Sequence, residues 1–351
     1  MMEQMPTIVA VGPIRSITFS QWVSLNRCKL KAALRSAVIR GKLPDPLPTR
    51  PALVGLFHHR AMELAVQSPS PAILRDALEA EIAELQLIVS STPHLRRLGS
   101  VSGWDEVNRS VVLAHERLAA NRGIVNDTVA AAETSLRSVS GLLVGRPDFY
   151  SVGGSLGRLR EYKSGRIRDE KGELLTDYRS QALFYASLIF DNTGADLISA
   201  TVESLSGDRC EIAINRAEAR QFAAEVEATL ESFNRSLVGL ASIERLAEPT
   251  QEGCASCIGR VACLPFKRVQ ESFELSGEQY VVQGYIRSLE TRRAQRVVFV
   301  QDVCRDKVAE LTVPESIACQ LELRESYCFG NLSRHGAGWL WGHSSRVYAG
   351  G

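Results

Sequence analysis

Asp148, Glu161 and Lys163 are the residues of this sequence whose types and spacing admit chemistry. They lie in the stretch from Gly145 to Tyr185. It holds Asp148, a turn segment with Gly153, Gly154 and Gly157, then Glu161 and Lys163 two apart, and finally Gln181 and Tyr185 four apart. Two carboxylates suit an oxygen-seeking divalent cation such as Mg²⁺ or Mn²⁺, which keeps several waters and takes one or two carboxylates together with substrate phosphate. Such an ion lowers the pKa of a bound water and offsets charge on a phosphate under attack. A lysine held beside it can orient that water or stabilise developing negative charge. The chemistry this set would perform is phosphodiester hydrolysis. E-x-K alone is a weak signal, and Glu161 with Lys163 is also what a solvated cross-strand ion pair looks like.

The elements that must position these groups follow from the surrounding pattern. Residues 141–150 and 158–163 are short apolar or aromatic runs joined by a Gly-rich link, which predicts two strands of a hairpin. Side chains two apart share a strand face, so Glu161 and Lys163 point the same way and Tyr162 points away. From Asp177 the period changes, with Tyr178, Ala182, Tyr185, Ala186 and Ile189 recurring at three and four, and a helix is expected with Gln181 and Tyr185 one turn apart. Upstream, residues 15–40 read as helical with Trp22, Leu25, Cys28 and Leu30, residues 44–51 as a Pro-rich linker, and Leu53–Val66 as a helix carrying Gly55, His59 and Glu63. Residues 71–136 read as largely helical. Downstream, 197–204 and 208–214 alternate like strands, and Asn215 is placed to cap a long helix.

The ordered set G-x-x-D, hairpin, E-x-K, then a helix with Q-x-x-x-Y resembles the PD-(D/E)XK nuclease superfamily, and more narrowly its RecB-like branch. The resemblance implies an α/β fold with a restriction-endonuclease-like αβββαβ core and helical insertions. It implies a divalent-metal-dependent DNA nuclease, an exonuclease on single-stranded or end-containing DNA serving repair, recombination or defence, with a helicase as a possible protein partner. Asp148, Glu161, Lys163, Gln181 and Tyr185 would be its catalytic residues. The run Gly55, His59, Glu63 resembles a G-x-x-x-H-x-x-x-E element in which the histidine is a further ligand, so the metal set would be His59, Asp148 and Glu161; His58 would face elsewhere. Glu133 resembles an acidic position of the family and carries no assigned role. Two rival readings are a catalytically silent DNA-binding subunit and a zinc-stapled interaction protein.

Cys254, Cys257 and Cys263 form C-x2-C-x5-C in a Gly- and Pro-flanked loop, and three thiolates need a fourth ligand. Zinc accepts a distant Cys or His, and C-x-x-C also serves as a redox pair. Three C-terminal cysteines with one near the N-terminus resemble the iron–sulfur staple of AddB, of the exonuclease V family and of the CRISPR adaptation nucleases. That resemblance makes Cys28 the fourth ligand of a [4Fe–4S] cluster. Cys210 reads as core, and Cys304, Cys319 and Cys328 fall outside the cluster. From 268 onward, alternating runs and short turns predict a small β domain resembling an OB-fold, following a nuclease domain over 1–267. Arg287, Arg292, Arg293 and Arg296, with Trp339 and Trp341, are its candidates for holding a nucleic-acid strand, with Tyr285, Phe299, Tyr327 and Phe329 as further stacking candidates. Aromatics at period two also fill barrels.

With 351 residues, 45% hydrophobic content and a net charge of +1, the chain can bury a large core and does not announce nucleic acid through bulk basicity. Eight cysteines in this length do not make a disulfide scaffold. No apolar run approaches membrane-spanning length, and a soluble cytoplasmic protein is expected.

Overall fold

The computed structural model of the chain describes residues 3–4, 12–39, 50–68, 70–91, 108–109, 111–113, 115–116, 129–204, 206–255, 257, 259–275, 279–292, 295–342 and 345–349. In chain order its main elements are α1 (Phe19–Arg27), α2 (Lys29–Ile39), α3 (Arg50–Gln67), α4 (Pro71–Ser91), β1 (Val129–Ala132), β2 (Phe149–Gly153) and β3 (Leu156–Lys163). There follow α5 (Thr176–Asn192), β4 (Leu197–Ser204), β5 (Arg209–Asn215), α6 (Arg216–Ser236), α7 (Gln251–Ala255) and α8 (Leu264–Val269). The last third holds β6 (Tyr280–Arg292), β7 (Gln295–Asp302), β8 (Lys307–Val313), α9 (Glu315–Ala318), β9 (Ser326–His335), β10 (Gly338–Leu340) and β11 (Arg346–Ala349). Two compact units emerge, one of Arg15–Trp22 with Leu47–Ser232, the other of Met1–Ile14, Val23–Pro46 and Phe233–Gly351. The chain is mixed α/β.

The first unit is built on a five-stranded sheet in the order β1-β2-β3-β4-β5. β2 and β3 form a hairpin in which Gly153 pairs with Leu156, leaving Gly154 and Ser155 as the turn. Gly154 has φ +62°, a left-handed conformation that glycine adopts without steric cost. β3 and β4 are parallel, and a parallel pair needs a crossover, supplied here by α5. Eight residues of α5 are buried, among them Phe184, Leu188 and Ile189, and each such large apolar side chain contributes about 1.5–3 kcal/mol through burial. Leu159, Ile198, Ala200 and Val202 supply buried apolar surface on the strands. The amide of Glu218 donates to Asn215 Oδ1 at 2.9 Å, so Asn215 does cap α6.

Two expectations need correction. Residues 71–136 are not helical throughout: Val129–Ala132 is an edge strand paired antiparallel with Phe149–Val152, and Leu136–Arg137 pairs with Val144–Gly145. Ala-rich composition favours helix locally, but the open edge of β2 offers a full ladder of partners. The first hairpin strand also starts later than the 141–150 run suggests, because Pro147 has no N–H to give a ladder and separates Val144–Gly145 from β2.

The second unit contains a closed five-stranded barrel, in the order β6-β7-β8-β10-β9 and back to β6. The β8–β10 pair is parallel and the other pairs are antiparallel, with α9 between β8 and β9. Its core holds Val282, Ile286, Val298, Val300, Leu311, Phe329 and Leu332. β6 and β7 approach each other closely at Gly284, where a Cβ would lie 1.8 Å from the carbonyl oxygen of Gln301. Among the described residues no helix is long and apolar enough to cross a membrane.

Candidate functional site

The hairpin, α3 and β1 bring five polar side chains of the first unit together. Asp148 immediately precedes β2, opposite Glu161 of β3. Its amide donates to Glu161 Oε1 at 3.3 Å, and its Oδ2 accepts the amide of Tyr162 at 2.7 Å. Lys163 Nζ donates to Glu161 Oε2 at 2.9 Å, as two strand positions on one face allow. From α3, His59 Nδ1 reaches Asp148 Oδ1 at 2.9 Å and lies 3.6 Å from Glu133 Oε1. Glu133 follows β1 with φ +48°, a left-handed backbone that turns the chain as the strand ends, and its N–H meets the carbonyl of Asp148 at 3.3 Å.

One ligand atom each from His59, Glu133 and Asp148 lies within 4.8 Å of the others. One imidazole nitrogen with two carboxylate oxygens is a donor set that fits a hard or borderline divalent cation. The expected set of His59, Asp148 and Glu161 thus shares two members with the group that converges. Glu161 adjoins it, with one oxygen toward the Asp148 amide and the other toward Lys163. Glu133 has no spacing relation to the E-x-K run, and only the β1–β2 pairing carries it to the site. Arg146 anchors it, with Nε donating to the Glu133 carbonyl at 2.9 Å and Nη2 lying 3.5 Å from Oε2.

Glu161 is 1% exposed and Asp148 6%. Burial and the neighbouring Asp148 push Glu161 up to about 7, despite Lys163. Burial works to raise Asp148 too, but the His59 hydrogen bond and the Lys163 charge hold it below the usual carboxylate range. Burial alone would lower Lys163, yet Glu161 and Asp148 outweigh it and keep the amine firmly protonated. Hydrogen bonds to Asp148 and Glu133 raise His59 to about 10, so in the absence of a metal the imidazolium stands as the cation between two carboxylates. The arrangement is an acid pair that requires a positive charge.

Gln181 and Tyr185 sit one turn apart on α5, with Gln181 Nε2 donating to the Tyr185 hydroxyl at 3.5 Å. Gly145 makes room for that tyrosine, since a Cβ there would stand 2.7 Å from its ring. Tyr178 offers its ring to Lys163 Nζ, 5.5 Å from the centroid. His58 is buried edge-on against the Tyr162 ring, 6.0 Å between centroids, and burial lowers its pKa to about 4. Glu63 turns to Arg60 and Gln67 rather than to the site.

In the second unit, Cys28, Cys254, Cys257 and Cys263 line one cavity with Lys31 and Arg260. Cys28 lies where α1 gives way to α2, so the single helix expected over 15–40 is broken at that residue. Its sulfur accepts the Glu248 amide at 3.4 Å. Burial raises the Cys254 and Cys257 thiols and pushes Cys263 up to about 12. Cys210 is half-buried on β5, and Cys304, Cys319 and Cys328 lie in the barrel sequence outside the cavity.

The barrel residues proposed to hold a strand are largely committed elsewhere. Trp339 is buried in the barrel core against Tyr280, Tyr327 and Phe329 are buried with it, and Trp341 packs partly onto that core, so the two tryptophans do not form an open stacking face. Arg292 pairs with Glu290 and Glu310 and covers Phe299, Arg296 pairs with Glu315, and Arg287 bonds Gln301. Alternation fills a closed barrel before it decorates one. Tyr285 is exposed, and Arg293 lies outside the described residues.

No protein-family model matches this chain, and no curated protein is detectably similar to it in sequence. Among solved structures, a protein of Eubacterium rectale provisionally named an exonuclease superimposes on 65% of this chain and 83% of its own, with a TM-score of 0.42 at 12% identity. A superposition this loose supports no inference about the site.

Proposed function

We propose that the first unit is a divalent-metal-dependent DNA nuclease with a restriction-endonuclease-like core, an exonuclease on single-stranded or end-containing DNA. The observation that carries this reading is the convergence of His59, Glu133, Asp148, Glu161 and Lys163 at the end of one hairpin. His59, Glu133 and Asp148 would hold Mg²⁺ or Mn²⁺, with Glu161 alongside. The ion, when bound, supplies a water of lowered pKa and charge to offset the attacked phosphate. Lys163, kept protonated by two carboxylates and fixed by its bond to Glu161, is placed to hold the attacking water or a phosphoryl oxygen. Gln181 and Tyr185 present polar groups from α5 for orienting the substrate.

For the second unit we infer a cysteine-ligated metal centre, a [4Fe–4S] cluster held by Cys28, Cys254, Cys257 and Cys263. Four thiols lining one cavity support it, and the raised pKa values of Cys254, Cys257 and Cys263 mean that a metal would displace protons when it binds. The barrel order, with its parallel β8–β10 pair and the helix before β9, supports reading it as an OB-like module. A helicase remains the proposed kind of protein partner.

Cleavage of end-labelled single- and double-stranded DNA with Mn²⁺ or Mg²⁺ tests the first proposal. Wild-type protein should degrade a substrate with free ends and spare a closed circle. Asp148→Ala should bind DNA without cutting it, and undiminished cleavage by Asp148→Ala would remove the assignment. Iron, sulfide and zinc analysis of protein purified without oxygen tests the second.

A further inference from the structure

Arg260 is a half-buried cation that has no carboxylate partner among the described residues. It opens the short 3-10 turn Arg260–Ala262 and lines the cavity of the four cysteines. Its Nη1 donates to the carbonyls of Cys254, at 3.3 Å, and of Ala255, and its Nη2 donates to Asn331 Oδ1 at 3.2 Å. These acceptors are all neutral. Its Nε is buried with no acceptor, and among the described residues no carboxylate forms an ion pair with the guanidinium. A guanidinium withdrawn from water without an opposing charge is costly. The groups near it that can become negative are Cys257 and Cys254.

Four cysteine thiolates around a dication, or around an oxidised [4Fe–4S] core, carry net negative charge. We propose that Arg260 is the counter-cation of the cysteine metal centre and fastens that centre to the barrel through Asn331. This rests on reading the four cysteines as ligands. The barrel side of the link is built for it. Asn331 has φ +57° and lies at the register shift between Phe329 and Leu332, where β9 departs from regular pairing with β6. The neighbouring Gly330 leaves space for Val261 of the Arg260 turn, since a Cβ there would stand 2.7 Å from Val261 Cγ2. Lys31 adds a second positive group on the cavity wall, anchored by Nζ to the Gly253 carbonyl at 3.2 Å. Arg260 is a positioning residue here: its charge acts on the centre and its fork fixes where the centre sits.

The test compares full-length wild type, Arg260→Gln and Arg260→Lys, each purified without oxygen and loaded with iron and sulfide. Gln keeps a hydrogen-bonding amide and loses the charge, whereas Lys keeps the charge and loses the fork. Reduction adds negative charge, so Arg260→Gln should lower the midpoint potential by about 59 mV, a tenfold change in the one-electron equilibrium, and speed metal loss to a chelator about tenfold. Arg260→Lys should recover most of both. A Gln variant that cannot be loaded while the Lys variant can also supports the charge role. Gln indistinguishable from wild type, or Lys as damaged as Gln, overturns it. Metal analysis of the wild type separates the two layers. Zinc in place of iron removes the cluster assignment alone, with the same Gln and Lys comparison then read as zinc release, and a wild type that holds neither metal overturns both.

Discussion

Replacing Glu161 by Gln should make the metal-free protein more stable than wild type at alkaline pH, with the advantage growing across a defined window. Glu161 is enclosed, and burial together with Asp148 lifts its pKa to about 7 against an ordinary 4.5. The folded state therefore binds that proton more tightly than the unfolded chain does. Its stabilising contribution is fully present below pH 4.5 and is lost as pH rises through 7. The gap between 4.5 and about 7, at about 1.4 kcal/mol per pKa unit, comes to about 3 kcal/mol. Glutamine does not titrate, so the difference between the two proteins reads this group together with its coupling to Asp148. Urea unfolding in EDTA from pH 4.5 to 8.5 is the assay, and for a unit of this size the shift corresponds to roughly 6–12 °C in Tm. Saturating Mn²⁺ should reverse the ranking at pH 8, because an ion beside Glu161 favours its ionised form. Parallel pH profiles for the two proteins without metal would refute the electrostatic account of the site.

Lys163→Met should cut turnover by at least ~100-fold while Mn²⁺ binding, followed by calorimetry, persists, since the amine acts on the reacting groups rather than on the ion. Gly145→Ala must displace the Tyr185 ring or Leu188, and should cost about 1–3 kcal/mol in chemical denaturation. Trp339→Ala should cost about 3–5 kcal/mol as a core truncation, whereas Arg292→Ala stays within about 0.5 kcal/mol; the opposite order would place Trp339 on a binding face. Cys28→Ser should lose iron as completely as Cys254→Ser, Cys257→Ser or Cys263→Ser, while Cys304→Ser and Cys319→Ser keep it and Cys328→Ser keeps it at some cost to the buried core.

What the sequence made legible was what short-range periodicity encodes. The alternation of Glu161, Tyr162 and Lys163 gave the shared face, and the spacing of Gln181 and Tyr185 gave one helical turn. The turn glycines located the β2–β3 hairpin, and Asn215 announced α6. Glu133 was visible only as an acid near a strand, because its place beside His59 depends on an edge pairing between segments of different composition. β1 itself was hidden by alanines whose local preference is helical. In the barrel, alternation could not say which face was inside. Trp339 looks the same in sequence whether it stacks on a ligand or fills a core, and closure of β9 onto β6 decides the matter. The pairing of Arg292 and Arg296 with acids likewise depends on cross-strand register that composition does not carry.

The interrupted course of the second unit sets a timetable for biogenesis. Cys28 is made before its partners: 220 residues separate it from Glu248, whose amide meets its sulfur, and the other three cysteines follow later still. The residues of the sheet unit, Leu47–Ser232, are synthesised in that interval. At translation rates of about 5–20 residues per second, Cys28 waits roughly 10–45 s for its partners. During that wait the thiol is open to oxidation and to stray metals, so insertion of the proposed metal would follow synthesis of the sheet unit. A chain stopped after Lys267 would carry all four cysteines but not Asn331 or β6–β11, to which the cysteine loop is joined. On the proposed cysteine centre, maturation is set by when Cys28 meets the 254–263 loop, and a shortage of metal should leave chains with a finished first unit and an unsealed second one.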